Sequence, residues 1–302
     1  MNKVLAPIAL FVYNRPWHTR RTVEALQRND LAKKSELIIY SDGPKTESDR
    51  EKVEEIRHYV SSIEGFIRVT IFEGNQNLGL AKSVTTGVTD TVHRYGRIIV
   101  LEDDLLVSPY FLDYMNTALN LFENKPQVMQ ISGNMFQVKF SDAISDCFFL
   151  PYTTTWGWAT WRRAWNMFDP GMQGIAQLEQ DKKFRQAFDM EGTYPYYEMI
   201  RDQKAGRINS WGIQWYLSVF FHSGIVLHPK RSIVRHIGFG EDATHVRRDA
   251  GIYADTISNS PVSTYPENIE VDGKAKEEYI RFFRKHQTPL ARLRYMMKYL
   301  SL

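Results

Sequence analysis

The sequence predicts an α/β protein with a Rossmann-like, mostly parallel central sheet, flanking helices and a further C-terminal region. Three observations lead there. Short β-branched runs alternate with helical patterns four times over the first hundred or so residues, which is how a parallel sheet with right-handed crossovers is written. Each run ends in a polar cluster: Asn14-Arg15, Asp42-Gly43, Asn75-Gln76-Asn77 and Glu102-Asp103-Asp104. The fourth run, Ile98-Ile99-Val100-Leu101, is apolar throughout and meets three consecutive carboxylates, so the acids must sit where a buried strand emerges. In open α/β sheets that carboxyl edge is where ligands bind.

Taken in order, residues 7–13 read as a buried strand that Asn14-Arg15-Pro16 breaks. A helix follows over 19–27, with Val23 and Leu26 facing inward. Residues 36–41 form the second strand and 49–61 a charged amphipathic helix with Val53, Ile56 and Val60 at helical spacing. The third strand covers 66–72 and the next helix 81–93. After the acid cluster, Ser108 and Pro109 are the expected cap and first residue of another helix. Residues 128–132 are a further strand, followed by Gly133-Asn134, and 147–150 lead into Thr153-Thr154-Thr155-Trp156-Gly157-Trp158-Ala159-Thr160-Trp161. Residues 170–207 are more polar, helical in pattern, and read as a variable cap or loop. Ser210 is expected to cap a helix from Trp211, and residues 227–239 to end the fold.

With 302 residues, 43% hydrophobic and 24% charged, the chain is an ordinary globular protein. A net charge of +3 is too small to imply nucleic acid. The single cysteine, Cys147, rules out an internal disulfide and fits a reducing compartment. The N-terminal apolar stretch is too short for a signal peptide, and no window approaches a membrane span. The expected location is the cytoplasm. Neither a Walker-type Gly-Lys-Ser/Thr loop nor a Gly-x-Gly-x-x-Gly after the first strand is present, which argues against kinases, GTPases and nicotinamide dehydrogenases.

Adjacent carboxylates repel, and a divalent cation relieves the repulsion; for an all-oxygen site that means Mg²⁺ or Mn²⁺. A solvated acidic turn is the other reading of the same residues. Asp42 can accept hydrogen bonds from a base or ribose, and the Asn77-Leu78-Gly79 turn lets backbone approach a ligand. Lys82 is either a phosphate contact or a solvated first-turn lysine. Nucleotide binding without a phosphate loop, through strand-end acids and a metal, points to nucleotide-sugars.

Residues 6–16, Asn75-Gln76-Asn77-Leu78-Gly79-Leu80-Ala81 and Leu101-Glu102-Asp103-Asp104 together resemble a GT-A-fold glycosyltransferase. The likeness is to bacterial family 2-like sugar transferases of surface polysaccharide clusters. It extends more distantly to animal N-acetylglucosaminyltransferase I, which shares the Glu-Asp-Asp form of the motif. The resemblance covers about residues 6–246. It implies a nucleotide-diphosphate sugar donor and a divalent metal held mainly by Asp104. It also implies nucleoside contacts at Asn14, Asp42, Asn77 and Asp103, with Arg15, Gly79, Lys82 and Glu102 completing the donor side. His245, ending Gly240-Glu241-Asp242-Ala243-Thr244-His245, is similar to the family's histidine and would touch metal or diphosphate; a surface-loop histidine is the alternative. His236 reads as structural or on the diphosphate side.

Residues 1–133 would then be the donor half, 134–270 the acceptor-side half of the same domain, and 271–302 a basic helical tail. Trp156, Gly157, Trp158 and Trp211 are the acceptor and sugar candidates, with core packing the competing role for the tryptophans. Many relatives carry an acid after the tryptophan where this chain has Trp211-Gly212, so the usual base is missing; Asp202, Glu241 and Asp242 are the substitutes. The tail carries Arg281, Arg284, Lys285, Arg292, Arg294 and Lys298 among apolar residues. It is expected either to lie on an anionic membrane, placing the enzyme peripherally at the inner face, or to pack back on the body.

The expected function is thus metal-dependent transfer of a sugar, from a UDP-sugar in the first instance, to a saccharide or lipid-linked acceptor with inversion. A sugar nucleotidyltransferase and a catalytically inactive GT-A binding domain are the alternatives. The first lacks its Gly-rich N-terminal loop, and the second draws support from Gly212.

Overall fold

The alternation is realised as β1 (Ile8–Val12), α1 (Pro16–Gln27), β2 (Glu36–Ser41), α2 (Glu47–Ser61), β3 (Arg68–Glu73), α3 (Leu80–Tyr95) and β4 (Arg97–Glu102). The structure is a computed structural model that describes residues 5–238 and 256–286. Two helices start earlier than their apolar periodicity suggests, for local reasons. Pro16 stands at the first position of α1, where its missing N–H costs nothing. Thr46 and Asp49 form a reciprocal capping box that opens α2 at Glu47.

After the acid cluster the chain departs from the expected strand-to-helix passage. Leu105–Val107 form a short strand, β5, and α4 (Phe111–Leu121) begins only afterwards. Ser108 therefore does not cap the helix: its Oγ accepts from Tyr110 N at 3.3 Å and its carbonyl from Phe111 N at 3.0 Å, making the turn between strand and helix. Then come β6 (Val128–Ser132), β7 (Cys147–Leu150), β8 (Trp158–Trp161), α5 (Arg162–Trp165), α6 (Ile175–Gln180), α7 (Lys182–Phe188), α8 (Tyr196–Lys204), α9 (Trp211–Phe221), β9 (Ile225–Pro229), β10 (Val234–His236) and α10 (Gly273–His286).

Eight strands form one sheet in the order β3-β2-β1-β4-β8-β6-β9-β7, continuous across residue 133. The β3-β2-β1-β4 part is parallel, β8 inserts antiparallel between β4 and β6, β9 runs parallel to β6, and β7 is antiparallel at the far edge. Within the residues expected to end the fold, β9 is buried throughout and lies inside the sheet. Outside the sheet, β10 pairs antiparallel with β5, setting His236 opposite Leu105. That pairing carries residues from the end of the fold to the acid cluster.

The polar stretch 170–207 resolves into α6, α7 and α8, which bury Leu178, Phe188, Met190 and Ile200 in an aromatic core shared with β7, α9 and α10. The described part of the tail belongs to that core. Tyr279 stacks on Tyr152 with ring centroids 5.6 Å apart, and Phe283 meets Phe136 edge-on at 4.9 Å. The apolar face of α10 is thus covered by protein, whereas Arg281, Arg284 and Lys285 are exposed. Residues 287–302 lie outside the described residues. Phe283→Ala should cost about 3–5 kcal/mol of stability, read from denaturant unfolding; an unchanged midpoint would show that α10 does not hold the body together. Among the described residues no helix is long and apolar enough to cross a membrane.

Candidate active site

The carboxyl ends of β1, β2 and β4 hold the polar clusters, and a network of side chains joins them. Asn14 Nδ2 donates to Asp49 Oδ1 at 2.8 Å and the Tyr13 hydroxyl to Asp49 Oδ2 at 2.9 Å, tying the loop after β1 to the start of α2. Donation from Thr46, Asn14 and Tyr13 holds the Asp49 carboxyl down to about 2, while burial, chiefly, pushes Tyr13 up to about 12.

Asp42 has a different place from the one expected. Its Oδ1 accepts from Gly43 N at 2.9 Å and Leu78 N at 2.8 Å; its Oδ2 accepts from Gly79 N at 2.9 Å and Asn77 Nδ2 at 3.1 Å. A carboxylate has about four acceptor sites, so this one is filled by its own loop and pins the Asn77-Leu78-Gly79 turn to β2. Asn77 also donates to Gly43 O at 2.9 Å. Two glycines make the turn possible. A Cβ on Gly43 would stand 2.5 Å from the Gln76 carbonyl carbon. Gly79, before α3, has φ +77° and ψ 155°, a region nearly closed to other residues. Lys82 is exposed on the first turn of α3.

The acids themselves differ sharply. Glu102 ends β4 half-buried, and burial with the charges of Asp104 and Asp103 raises its carboxyl to about 8. Asp103 accepts from Tyr13 N at 3.2 Å, and its carbonyl from Thr22 Oγ1 at 2.8 Å; burial and the neighbouring Asp104 raise it as well. Asp104 goes the other way. Burial opposes its charge, but a hydrogen bond and charge from His236 and the charge of Arg15 outweigh burial and lower it. Arg15 Nη1 lies 2.6 Å and His236 Nε2 3.2 Å from the same oxygen, Oδ2. The other oxygen, Oδ1, is buried and has no hydrogen-bond partner among the described residues. Gly238 abuts this group, since a Cβ there would stand 2.3 Å from Asp104 Oδ2. His18, half-buried in α1, is held below its usual value by burial and by Arg15.

Sequence reasoning missed His18, and it read His236 only as structural or on the diphosphate side. Neither falls in a motif, and His236 reaches Asp104 only through the β5–β10 pairing. His236 also packs on Trp156, ring centroids 4.6 Å apart, which links the acid cluster to a second pocket.

That pocket, about 180 Å³, is lined by Asn134, Thr153, Thr154, Thr155, Trp156 and Gly212 among others. Of the tryptophans proposed for sugar contact, Trp158 and Trp211 are buried, at 0% and 4% exposure, in a cluster with Trp165 and Trp215. Their faces are covered by protein, because β8 is an interior strand and α9 lays its tryptophans over it. Gly157 is buried where Val234 crosses. Trp156 alone of the four proposed residues lines the pocket. Beneath it, Gln130 Nε2 donates to Thr154 O at 2.5 Å and receives Trp215 Nε1 on Oε1 at 2.6 Å, while the hydroxyls of Ser132 and Thr154 share a hydrogen bond. His228, fully buried nearby, bonds Tyr152 O through Nε2 at 2.8 Å.

Burial lowers His228 to about 4 from an ordinary 6.5. Between those values the unfolded chain binds a proton that the folded chain refuses, so stability falls as pH drops through that window and recovers above it. The loss should approach about 3 kcal/mol by pH 4, measured as the urea midpoint against pH, and His228→Gln should flatten it.

Asp202 is ion-paired with Arg207, whose Nε lies 2.8 Å from Oδ1, and does not line the pocket. Glu241, Asp242 and His245 lie outside the described residues. Among the described residues no group of three or more His, Cys, Asp and Glu stands ready to hold a metal.

Residues 8–142 match the family model described as Glycosyl transferase family 2. That segment holds the parallel strands β1 to β4 and the acid cluster. The match covers a little under half of the chain, and over that segment the chain is similar to glycosyl transferase family 2. Solved structures similar to it include a mannosyltransferase of Pyrobaculum calidifontis in complex with GDP-Man and Mn²⁺, at 14% identity over 52% of this chain and 45% of that one, with a TM-score of 0.36. TarS of S. aureus is 12% identical over 49% of this chain and 25% of that one, TM-score 0.28; its residues 1–349 give 10%, 51%, 47% and 0.33. The chain thus spans less than half the length of each of these structures. No curated protein matches the chain.

Proposed function

We propose that the protein is a glycosyltransferase that moves a sugar from a nucleotide-diphosphate donor, a UDP-sugar in the first instance, to a saccharide or lipid-linked acceptor of a bacterial surface polysaccharide. The single observation that carries this is Asp104 Oδ1: a buried carboxylate oxygen with no hydrogen-bond partner among the described residues, at the strand edge of the segment that matches family 2. A buried acceptor left unsatisfied costs about 1–3 kcal/mol unless something occupies it. Mn²⁺ or Mg²⁺ fits, since such ions take one or two carboxylates and complete their shell with substrate phosphates and water. Asp104 would hold the ion, with His245 as a second candidate. When bound, it would neutralise charge developing on the leaving diphosphate.

The chain's own residues do the rest. Asp42 holds the Asn77–Gly79 turn in place for the nucleoside, with Asn14 and Asp103 beside it. Arg15 and His236 keep Asp104 ionised. In an inverting reaction the acceptor hydroxyl oxygen bonds to the anomeric carbon as the carbon–diphosphate bond breaks, and a carboxylate takes the hydroxyl proton. The described residues that line the pocket include no carboxylate, so Glu241 and Asp242 are the candidates for that base. The further likeness to N-acetylglucosaminyltransferase I rests on the Glu102-Asp103-Asp104 motif alone. Residues 287–302 and the exposed cations of α10 are the candidates for membrane contact.

Gly212 favours one other reading, a GT-A domain that binds without turning over. Thermal shift against a panel of nucleotide-sugars, followed by donor turnover with and without Mn²⁺, separates the two. Turnover that depends on Mn²⁺ is expected; binding without turnover for every donor and acceptor would support the inactive domain.

A further inference from the structure

We infer that Asn14, with its side-chain amide oriented by Asp49, reads the base of the nucleotide and selects one that carries an imino N–H, as uracil and guanine do, over cytosine and adenine. The inference rests on the glycosyltransferase reading and narrows its donor. Asp49 Oδ1 accepts from Asn14 Nδ2 at 2.8 Å. Its Oδ2 accepts from the Tyr13 hydroxyl at 2.9 Å, Thr46 N at 3.0 Å and Thr46 Oγ1 at 2.6 Å. The Tyr13 hydroxyl in turn accepts from Lys45 N at 3.0 Å. One aspartate thus ties the loop after β1 to the loop after β2.

The orientation of the amide follows from charge. An ionised carboxylate only accepts, and these donors keep Asp49 ionised at neutral pH. Asn14 must therefore turn its NH₂ to Asp49 and its Oδ1 away; the flipped amide would set two acceptors against each other. Half-buried Asn14 stands between Tyr13, whose N–H donates to Asp103 Oδ2 at 3.2 Å, and Arg15, whose Nη1 lies 2.6 Å from Asp104 Oδ2. The oriented amide thus belongs to the edge that holds the acid cluster. Asp42, the strand-end aspartate that would otherwise accept from a base, is filled by Gly43, Asn77, Leu78 and Gly79. That acceptor role passes to the Asn14 carbonyl. Where uracil presents N3–H and guanine N1–H, cytosine N3 and adenine N1 are acceptors. Against Asn14 Oδ1 they oppose lone pair to lone pair, and the amide cannot turn to suit them without facing Oδ1 to Asp49. Their amines lie further along the edge, out of line for a base whose diphosphate is held on the Asp104 side.

The test measures dissociation constants of UDP, CDP, GDP and ADP, each with saturating Mn²⁺, by equilibrium dialysis. It uses the wild-type chain, Asp49→Asn and Asn14→Ala, with circular dichroism melts to confirm folding. In whichever pair binds, UDP with CDP or GDP with ADP, the imino nucleotide should bind the wild type roughly 10–10²-fold more tightly. Asp49→Asn should bring the two affinities closer, because an asparagine there can donate to Asn14 Oδ1 and frees the amide to turn. Asn14→Ala should weaken the imino nucleotide and remove the preference. A purely structural role for either residue would change both affinities alike and leave their ratio. CDP bound by the wild type as tightly as UDP, or ADP as tightly as GDP, overturns the inference, as does a ratio unchanged in either folded variant. Should Asp49→Asn not fold, Asn14→Ala decides. No binding by any nucleotide overturns the transferase reading and this inference with it, whereas binding without preference overturns this inference alone.

Discussion

Asp104→Asn is expected to lower sugar transfer by at least ~10²-fold, because the charge neutralisation it anchors is worth several kcal/mol and each 1.36 kcal/mol is tenfold in rate. The asparagine keeps the shape of the side chain and a carbonyl oxygen for Arg15 and His236, which both converge on Oδ2. The fold should therefore survive, as a circular dichroism melt would show. Nucleotide diphosphate binding should weaken and lose its response to Mn²⁺. Full activity of the variant at saturating Mn²⁺ would remove Asp104 from the metal site.

The second large effect concerns the base. Removing a general base typically costs ~10²–10⁴ in rate. Either Glu241→Gln or Asp242→Asn should slow transfer by about that factor with donor affinity nearly unchanged, since the base touches the acceptor hydroxyl and not the diphosphate. Asp202→Asn should transfer normally, because its carboxylate is engaged by Arg207 and stands apart from the pocket lining. Normal transfer by both the Glu241 and Asp242 variants would place the base elsewhere. Should the wild type prove inactive with every donor and acceptor, Gly212→Asp becomes informative; the new side chain must press on Thr155, and recovered transfer would mark a lost base.

The first half of the sheet was largely legible because its signals are local. A β-branched run followed by Asn, Asp or Gly fixes a strand and its end within a few residues, and β1, β2, β3 and β4 fall where those runs stand. What the sequence hid were pairings between distant segments. Leu105–Val107 reads as the approach to a helix until Val234–His236 arrives to pair with it, and only that pairing brings His236 to Asp104. Trp158 and Trp211 read equally as sugar platform or core. Their burial depends on β8 entering the sheet between β4 and β6, which no local pattern announces. Asp42 looked like a ligand contact because a strand-end aspartate does, yet its acceptors are consumed by the turn 36 and 37 residues later. The amphipathic pattern of α10 was real, but the pattern alone cannot distinguish a membrane from the aromatic core formed by Tyr152, Phe136 and their neighbours.

The central claim is that the acid cluster at the end of β4 is a metal-dependent site for a nucleoside diphosphate. Titration calorimetry of UDP, GDP, CDP and dTDP into the wild-type chain, first with Mn²⁺ and then with the metal chelated, tests it most directly. At least one nucleotide should bind with Mn²⁺ and lose most of its affinity on chelation. Affinity that is the same with and without metal for every nucleotide that binds, or no binding by any of them, would contradict it.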